Sequence, residues 1–133
     1  MTTAQSLLHR LRWTLLCCLA ASWVSAAVAT HLPPRCMPHI GLSDSVLHVA
    51  GFFVLAGLLW TTLRAYDFKR PRRLVLTLAV LAVYAAMDEK TQPMFGRDAD
   101  VADWLCDMLG TVLAAGVCEL LPCVLTRRNL GRR

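Results

Sequence analysis

The chain has no Cys-x-x-Cys or His-x-x-x-His pair, no glycine-rich phosphate loop, no internal repeat and no low-complexity linker. These absences argue against a structural zinc site, a nucleotide cradle, a solenoid and a flexible tether. Strict alternation of apolar and polar residues is also missing, so no strand of a membrane barrel is expected. Charge is scarce, at 17% of 133 residues. What remains is apolar: 56% hydrophobic residues and a mean hydropathy of +0.50 exceed what a soluble domain of this length needs. A small soluble helical bundle is the alternative, but the apolar runs approach the roughly 20 residues that cross about 30 Å of hydrocarbon.

Apolar content and charged borders place four spans, at residues 11–29, 45–63, 74–92 and 102–125. The uninterrupted part of the third is only Leu74 to Met87, so its helix is expected to continue through Asp88 and Glu89 toward Gln92. A lipid-exposed backbone must satisfy its own hydrogen bonds, which makes the expected fold all-α: one integral membrane four-helix bundle over residues 1–133. The first span also reads as a secretory signal, since Arg10 and Arg12 precede an apolar run that ends in Ala27-Val28-Ala29. Its length favours a retained helix.

Basic residues orient the bundle. Eleven of them (Arg10, Arg12, Arg64, Lys69, Arg70, Arg72, Arg73, Arg127, Arg128, Arg132 and Arg133) fall on one side of this topology. Only Arg35, Lys90 and Arg97 fall on the other. Both termini are therefore expected in the cytoplasm. The same count explains the net charge of +5 as a topology signal with some contact to lipid headgroups, without nucleic acid.

Acidic residues are distributed differently. Four of the nine carboxylates lie between Asp88 and Asp100, and Asp103 and Asp107 follow inside an apolar run. Three carboxylates facing lipid (Asp103, Asp107 and Glu119) would together cost about 8 to 10 kcal/mol at about 2.5 to 3.5 each. Asp107, the deepest, is expected to face the bundle with a partner or a proton, Arg97 being the natural partner, and His48 to donate to a second acid. Asp44 and His48 are four residues apart, as are Asp88 and Gln92, and Asp103 and Asp107; three helix ends thus offer a polar pair each to the outer face.

These elements resemble the VanZ-like family of small bacterial membrane proteins. Asp44-Ser45-Val46-Leu47-His48 resembles the family's Asp-Lys-x-x-His, with Ser45 in place of Lys. Asp88-Glu89, Gln92, Gly96-Arg97 and Asp103 to Gly110 follow the family's acidic pair, Gln, Gly-Arg and Asp-x-x-x-Asn-x-x-Gly, with Asp107 in place of Asn. The resemblance covers about residues 33–116 and implies a role at the cell envelope. The founding member is associated with low-level resistance to the glycopeptide teicoplanin.

The expected polar cluster is Asp44, His48, Asp88, Glu89, Gln92, Arg97, Asp103 and Asp107. It serves either a ligand, such as an envelope lipid or a glycopeptide-like molecule, or helix packing in a structural subunit. A third reading is a membrane-embedded hydrolase or transferase acting on a lipid-linked substrate. In that reading His48 is a base oriented by Asp44, and Asp88 or Glu89 is a second acid-base group. His48 with carboxylates is a chemically adequate ligand set, and Cys36 with His39 a single short pairing, but neither spacing assigns a metal, and no cofactor is expected. Cys17, Cys18, Cys106, Cys118 and Cys123 read as small packing groups. His9 and His31 read as solvated, and Trp13, Trp23, Trp60 and Trp104 as interface anchors. Gly110 and Ala114 form a small-x-x-x-small seam.

Overall fold

The computed structural model describes residues 3–32 and 41–130, with side chains described as far as Leu121. Four helices account for most of it: α1 (Thr3–His31), α2 (Asp44–Ala65), α3 (Arg70–Thr91) and α4 (Val101–Leu130). No strand occurs among the described residues. The expected spans 11–29, 45–63 and 102–125 lie inside α1, α2 and α4, which run past them, whereas 74–92 ends one residue beyond α3, in the turn that Gln92 opens. The extensions are polar turns whose backbone groups stay bonded within the helix.

Local chemistry sets the ends. Ser43 caps α2, its Oγ accepting from the Val46 N–H at 3.4 Å. Between α2 and α3 the turn passes through Asp67 at φ 61°, and Lys69 then leads into Pro71 in the first turn of α3. At its far end α3 tightens into a 3₁₀ turn over Gln92–Phe95, closed by Gly96 at φ 75°. That left-handed conformation suits glycine, and it turns the chain toward Arg97. Asp100 then caps α4, accepting from the Ala102 N–H at 2.8 Å.

The helices run up and down. Arg12 near the start of α1 donates to the Ala65 carbonyl at the end of α2 (2.7 Å), and Trp60 of α2 donates to Glu119 of α4 (3.1 Å). Both ends of the described chain thus lie at the same end of the bundle. The core is small: Phe52, Leu55 and Ala56 of α2, Leu81 and Ala85 of α3, and Ala114 of α4. The closest approach joins α2 to α4 at Gly110, where an added Cβ would stand 2.3 Å from the Val49 carbonyl oxygen. Gly110 and Ala114 therefore work as the expected seam. α1 is peripheral, with no fully buried residue, and docks through Trp23 against Tyr84 of α3.

Burial runs opposite to that of a soluble bundle. Val24, Val28, Val54, Val83, Leu105, Leu109 and Leu120 are exposed, whereas Asp88, Glu89, Gln92, Asp107, Thr77 and Thr111 are buried. Such a surface suits lipid, and its interior suits a polar site. Three helices, α1, α2 and α4, are long and apolar enough to cross a membrane. α3 equals α2 in length but carries arginines at one end and acids at the other. Cys17 and Cys18, expected to pack, are exposed on the outer side of peripheral α1.

Candidate functional site

The acidic end of the bundle gathers the ends of all four helices. α2 supplies Asp44 and His48 from its first two turns, and α4 supplies Asp103 and Asp107 from the same level. α3 supplies Asp88 and Glu89 from its last turn, with Gln92 opening the 3₁₀ turn that follows. The loop brings in Arg97. All eight residues expected from the sequence therefore lie at one end, joined by the contacts that follow.

His48 is the hub. Its side chain is 3% exposed, and Nδ1 lies 2.9 Å from Oδ1 of Asp107, which is fully buried. Facing a carboxylate acceptor, Nδ1 carries the proton. Nε2 lies 3.9 Å from Asp44 and 3.8 Å from Asp103, distances beyond a hydrogen bond. Two expectations are corrected here. Asp44 does not orient His48, because its carboxylate is turned to Arg97 (2.6 Å); Asp107 orients the ring instead. The partner of Asp107 is likewise His48, which reaches it at depth, while Arg97 at the rim clamps the loop to the first turn of α2.

A second set surrounds Gln92, a residue with no exposed surface. Its Nε2 donates to Asp88 Oδ2 (3.2 Å) and to Glu89 Oε1 (3.0 Å), so one amide holds two buried carboxylates in place. Glu89 Oε2 accepts from the Asp100 N–H at 3.0 Å, which ties the cluster to the cap of α4. Among the described residues of this cluster, Oδ2 of Asp107 and Oε1 of Gln92 are buried without a partner, as are the hydroxyls of Thr77 and Tyr84 elsewhere in the bundle.

α1 adds residues that the sequence did not single out. The Thr30 hydroxyl donates to Asp88 Oδ1 at 2.9 Å. His31, expected to be solvated, is half-buried: Nε2 lies 2.9 Å from the Thr91 hydroxyl, and the ring packs edge-on against Phe95. The available signal was topological, since the end of the first span had to lie on the same face as the acids. Cys36 and His39, and the loop prolines Pro33 and Pro34, lie outside the described residues.

Comparison with protein families matches residues 5–122 to VanZ/LLP1. The chain belongs to that family. No curated protein and no solved structure matches it. The VanZ/LLP1 match takes in all four helices, including Thr30 and His31 of α1. It also gives the two departures from the VanZ-like pattern a structural meaning. Ser45 is exposed at the start of α2, away from the buried contacts. Asp107 stands at the hub, where it adds a negative charge at the position of the pattern's neutral amide.

Beside this cluster, between α1 and α2, lies a cavity of about 710 Å³. Ala21, Ser25 and Ala29 of α1 and Leu47, Gly51 and Val54 of α2 form its apolar walls, while Thr30, Asp44, His48 and Arg97 edge it. Small side chains on α1 make the space. The groups that His48 Nε2 approaches are carboxylates rather than a hydroxyl or a thiol.

Proposed function

We propose that this VanZ-like chain is a multi-pass protein of the bacterial cytoplasmic membrane that holds an envelope lipid or glycopeptide-like ligand at its acidic end. By doing so it alters sensitivity to teicoplanin-type glycopeptides. The observation that carries this reading is the cavity between α1 and α2, whose long apolar walls meet charged and hydrogen-bonding groups. Its volume falls in the range of about 300 to 1,000 Å³ usual for ligand sites. An apolar chain fits against Ala21, Ser25, Gly51 and Val54, and a polar head fits against Arg97, Asp44 and Thr30. Asp44, whose side chain is 44% exposed and paired with Arg97, offers an acceptor for an amine or hydroxyl.

Positive residues at the opposite end support an outward acidic face. Cysteine labelling tests this orientation. In a cysteine-free background, Met94→Cys is expected to react from outside and Asp67→Cys only after the membrane is opened. The reverse pattern would overturn the outward face.

The binding reading is tested by Arg97→Ala and Gly51→Leu, the second of which fills the apolar wall. Both variants are expected to keep folded yield in detergent while losing co-purified lipid and the glycopeptide phenotype. Parallel loss of yield and phenotype would instead favour a structural subunit. The bond from His48 to Asp107 favours one further reading, a hydrolase or transferase acting on a lipid-linked substrate with His48 as base. Product formation by purified wild type, abolished in His48→Gln, would support it over binding alone.

A further inference from the structure

We propose that His48, Glu89 and Asp107 bind one divalent first-row metal ion, of the Zn²⁺ or Mn²⁺ type. This inference does not rest on the lipid or glycopeptide reading. The three residues come from α2, α3 and α4 and are all buried, and one donor atom from each lies within 4.8 Å of the others. Three helices thus bring an imidazole and two carboxylates to one point.

Clustered acids alone would not identify a metal site. The orphaned acceptors point to a cation. Asp107 Oδ2 belongs to one of the three ligands, and Gln92 Oε1 belongs to the amide that is bonded to another, Glu89. Both residues have no exposed surface, so each of these lone pairs is left unsatisfied away from water. A cation held by Asp107 would give Oδ2 the partner it lacks. Charge agrees: in the described cluster, the five carboxylates of Asp44, Asp88, Glu89, Asp103 and Asp107 face one guanidinium and two imidazoles. The carboxylates outnumber the positive groups even with both imidazoles protonated, so the cluster is acidic enough to favour a divalent cation.

The ligand types select among ions. Mixed nitrogen and oxygen donors suit Zn²⁺ or Mn²⁺ better than Ca²⁺, which prefers oxygen alone. The 2.9 Å between His48 Nδ1 and Asp107 Oδ1 is close to the spacing of neighbouring ligands around an ion bound at about 2.1 Å. When the metal enters, the Nδ1 proton leaves to solvent, and the ring nitrogen lone pair takes its place at the ion. Nε2 takes up a proton in exchange and faces the carboxylates of Asp44 and Asp103, which favour that tautomer. The Asp100 N–H holds Glu89 from behind.

The test uses the full chain, purified in detergent without chelator or metal-affinity resin. Element analysis is followed by titration of the chelator-treated protein with Zn²⁺ and with Mn²⁺. One equivalent is expected to bind, and Glu89→Gln and Asp107→Asn are each expected to weaken binding by at least about tenfold. Asp98→Asn, at an exposed loop position, should leave it unchanged. A Co²⁺-loaded wild type is expected to show visible absorption bands that shift in His48→Gln. The wild type decides the matter even if a variant fails to fold. Folded wild type that binds neither ion stoichiometrically, as a cluster neutralised by protons would, overturns the proposal. So does unchanged affinity in both carboxylate variants.

Discussion

The two ends of this bundle carry opposite charge and handle it by opposite means. At the acidic end the charges are drawn inward: Asp88, Glu89 and Asp107 are buried and held by Gln92, His48, Thr30 and the Asp100 amide. At the basic end the charges are laid over aromatic rings near the surface. Arg12 lies 5.0 Å from the Tyr66 ring centroid, and Arg73 lies 4.5 Å from that of Trp60. Each end also contains counter-charges: Arg97 ties the α3–α4 loop to α2 at the acidic end, while at the basic end Glu119 joins Arg70 of α3 and Trp60 of α2 to α4 and Asp67 pairs with Arg12. Surface arginines cost little to place and set orientation. Buried acids are costly and gain little for topology, so the acidic end is where a site is to be sought.

That contrast breaks most visibly at His48. Replacing it with alanine leaves the carboxylate of Asp107 buried without a partner, and a loss of about 3 to 5 kcal/mol is expected. Reversible unfolding in mixed micelles measures it, and a loss under 1 kcal/mol would mean that Asp107 is not held as a buried charge. The scaffold below the hub comes next. Gly110→Val places side-chain atoms where even a Cβ would stand 2.3 Å from Val49 O. Because α2 and α4 must move apart, about 1 to 3 kcal/mol should be lost. The same unfolding measurement checks this, and an unchanged midpoint would show that the seam is looser than described.

Much of this arrangement was legible in the amino-acid order. Four apolar runs with charged borders led to four helices, and i,i+4 pairs at three helix ends led to one polar face. Pairing within the cluster was not legible. Spacing put Asp44 and His48 on one side of α2, but it carried no information on depth, and depth decides that His48 reaches Asp107 while Asp44 meets Arg97. His31 was misread because a histidine after an apolar run has the same local sequence whether water or another helix lies beside it. The cavity arises from the distance between α1 and α2 along a row of alanines and serines, a property of packing that no single residue announces.

Thr30 sharpens the comparison from the acidic side. Thr30→Val keeps the shape and removes the hydroxyl that donates to Asp88. Hydrogen bonds between membrane helices contribute about 0.6 kcal/mol on average and about 1.7 at most, and a loss in that range is expected. The matching change at the basic end is Asp67→Ala, which breaks the 3.0 Å ion pair with Arg12. The Asp67 side chain is 87% exposed, so water and salt already screen the pair, and Arg12 keeps its bond to the Ala65 carbonyl and its place over Tyr66. A loss of about 0 to 1 kcal/mol is expected, shrinking further in 1 M salt. If unfolding in micelles instead shows Asp67→Ala to cost as much as His48→Ala, charge at the basic end bears on stability as heavily as charge at the acidic end. The division of labour between the two ends would then fall.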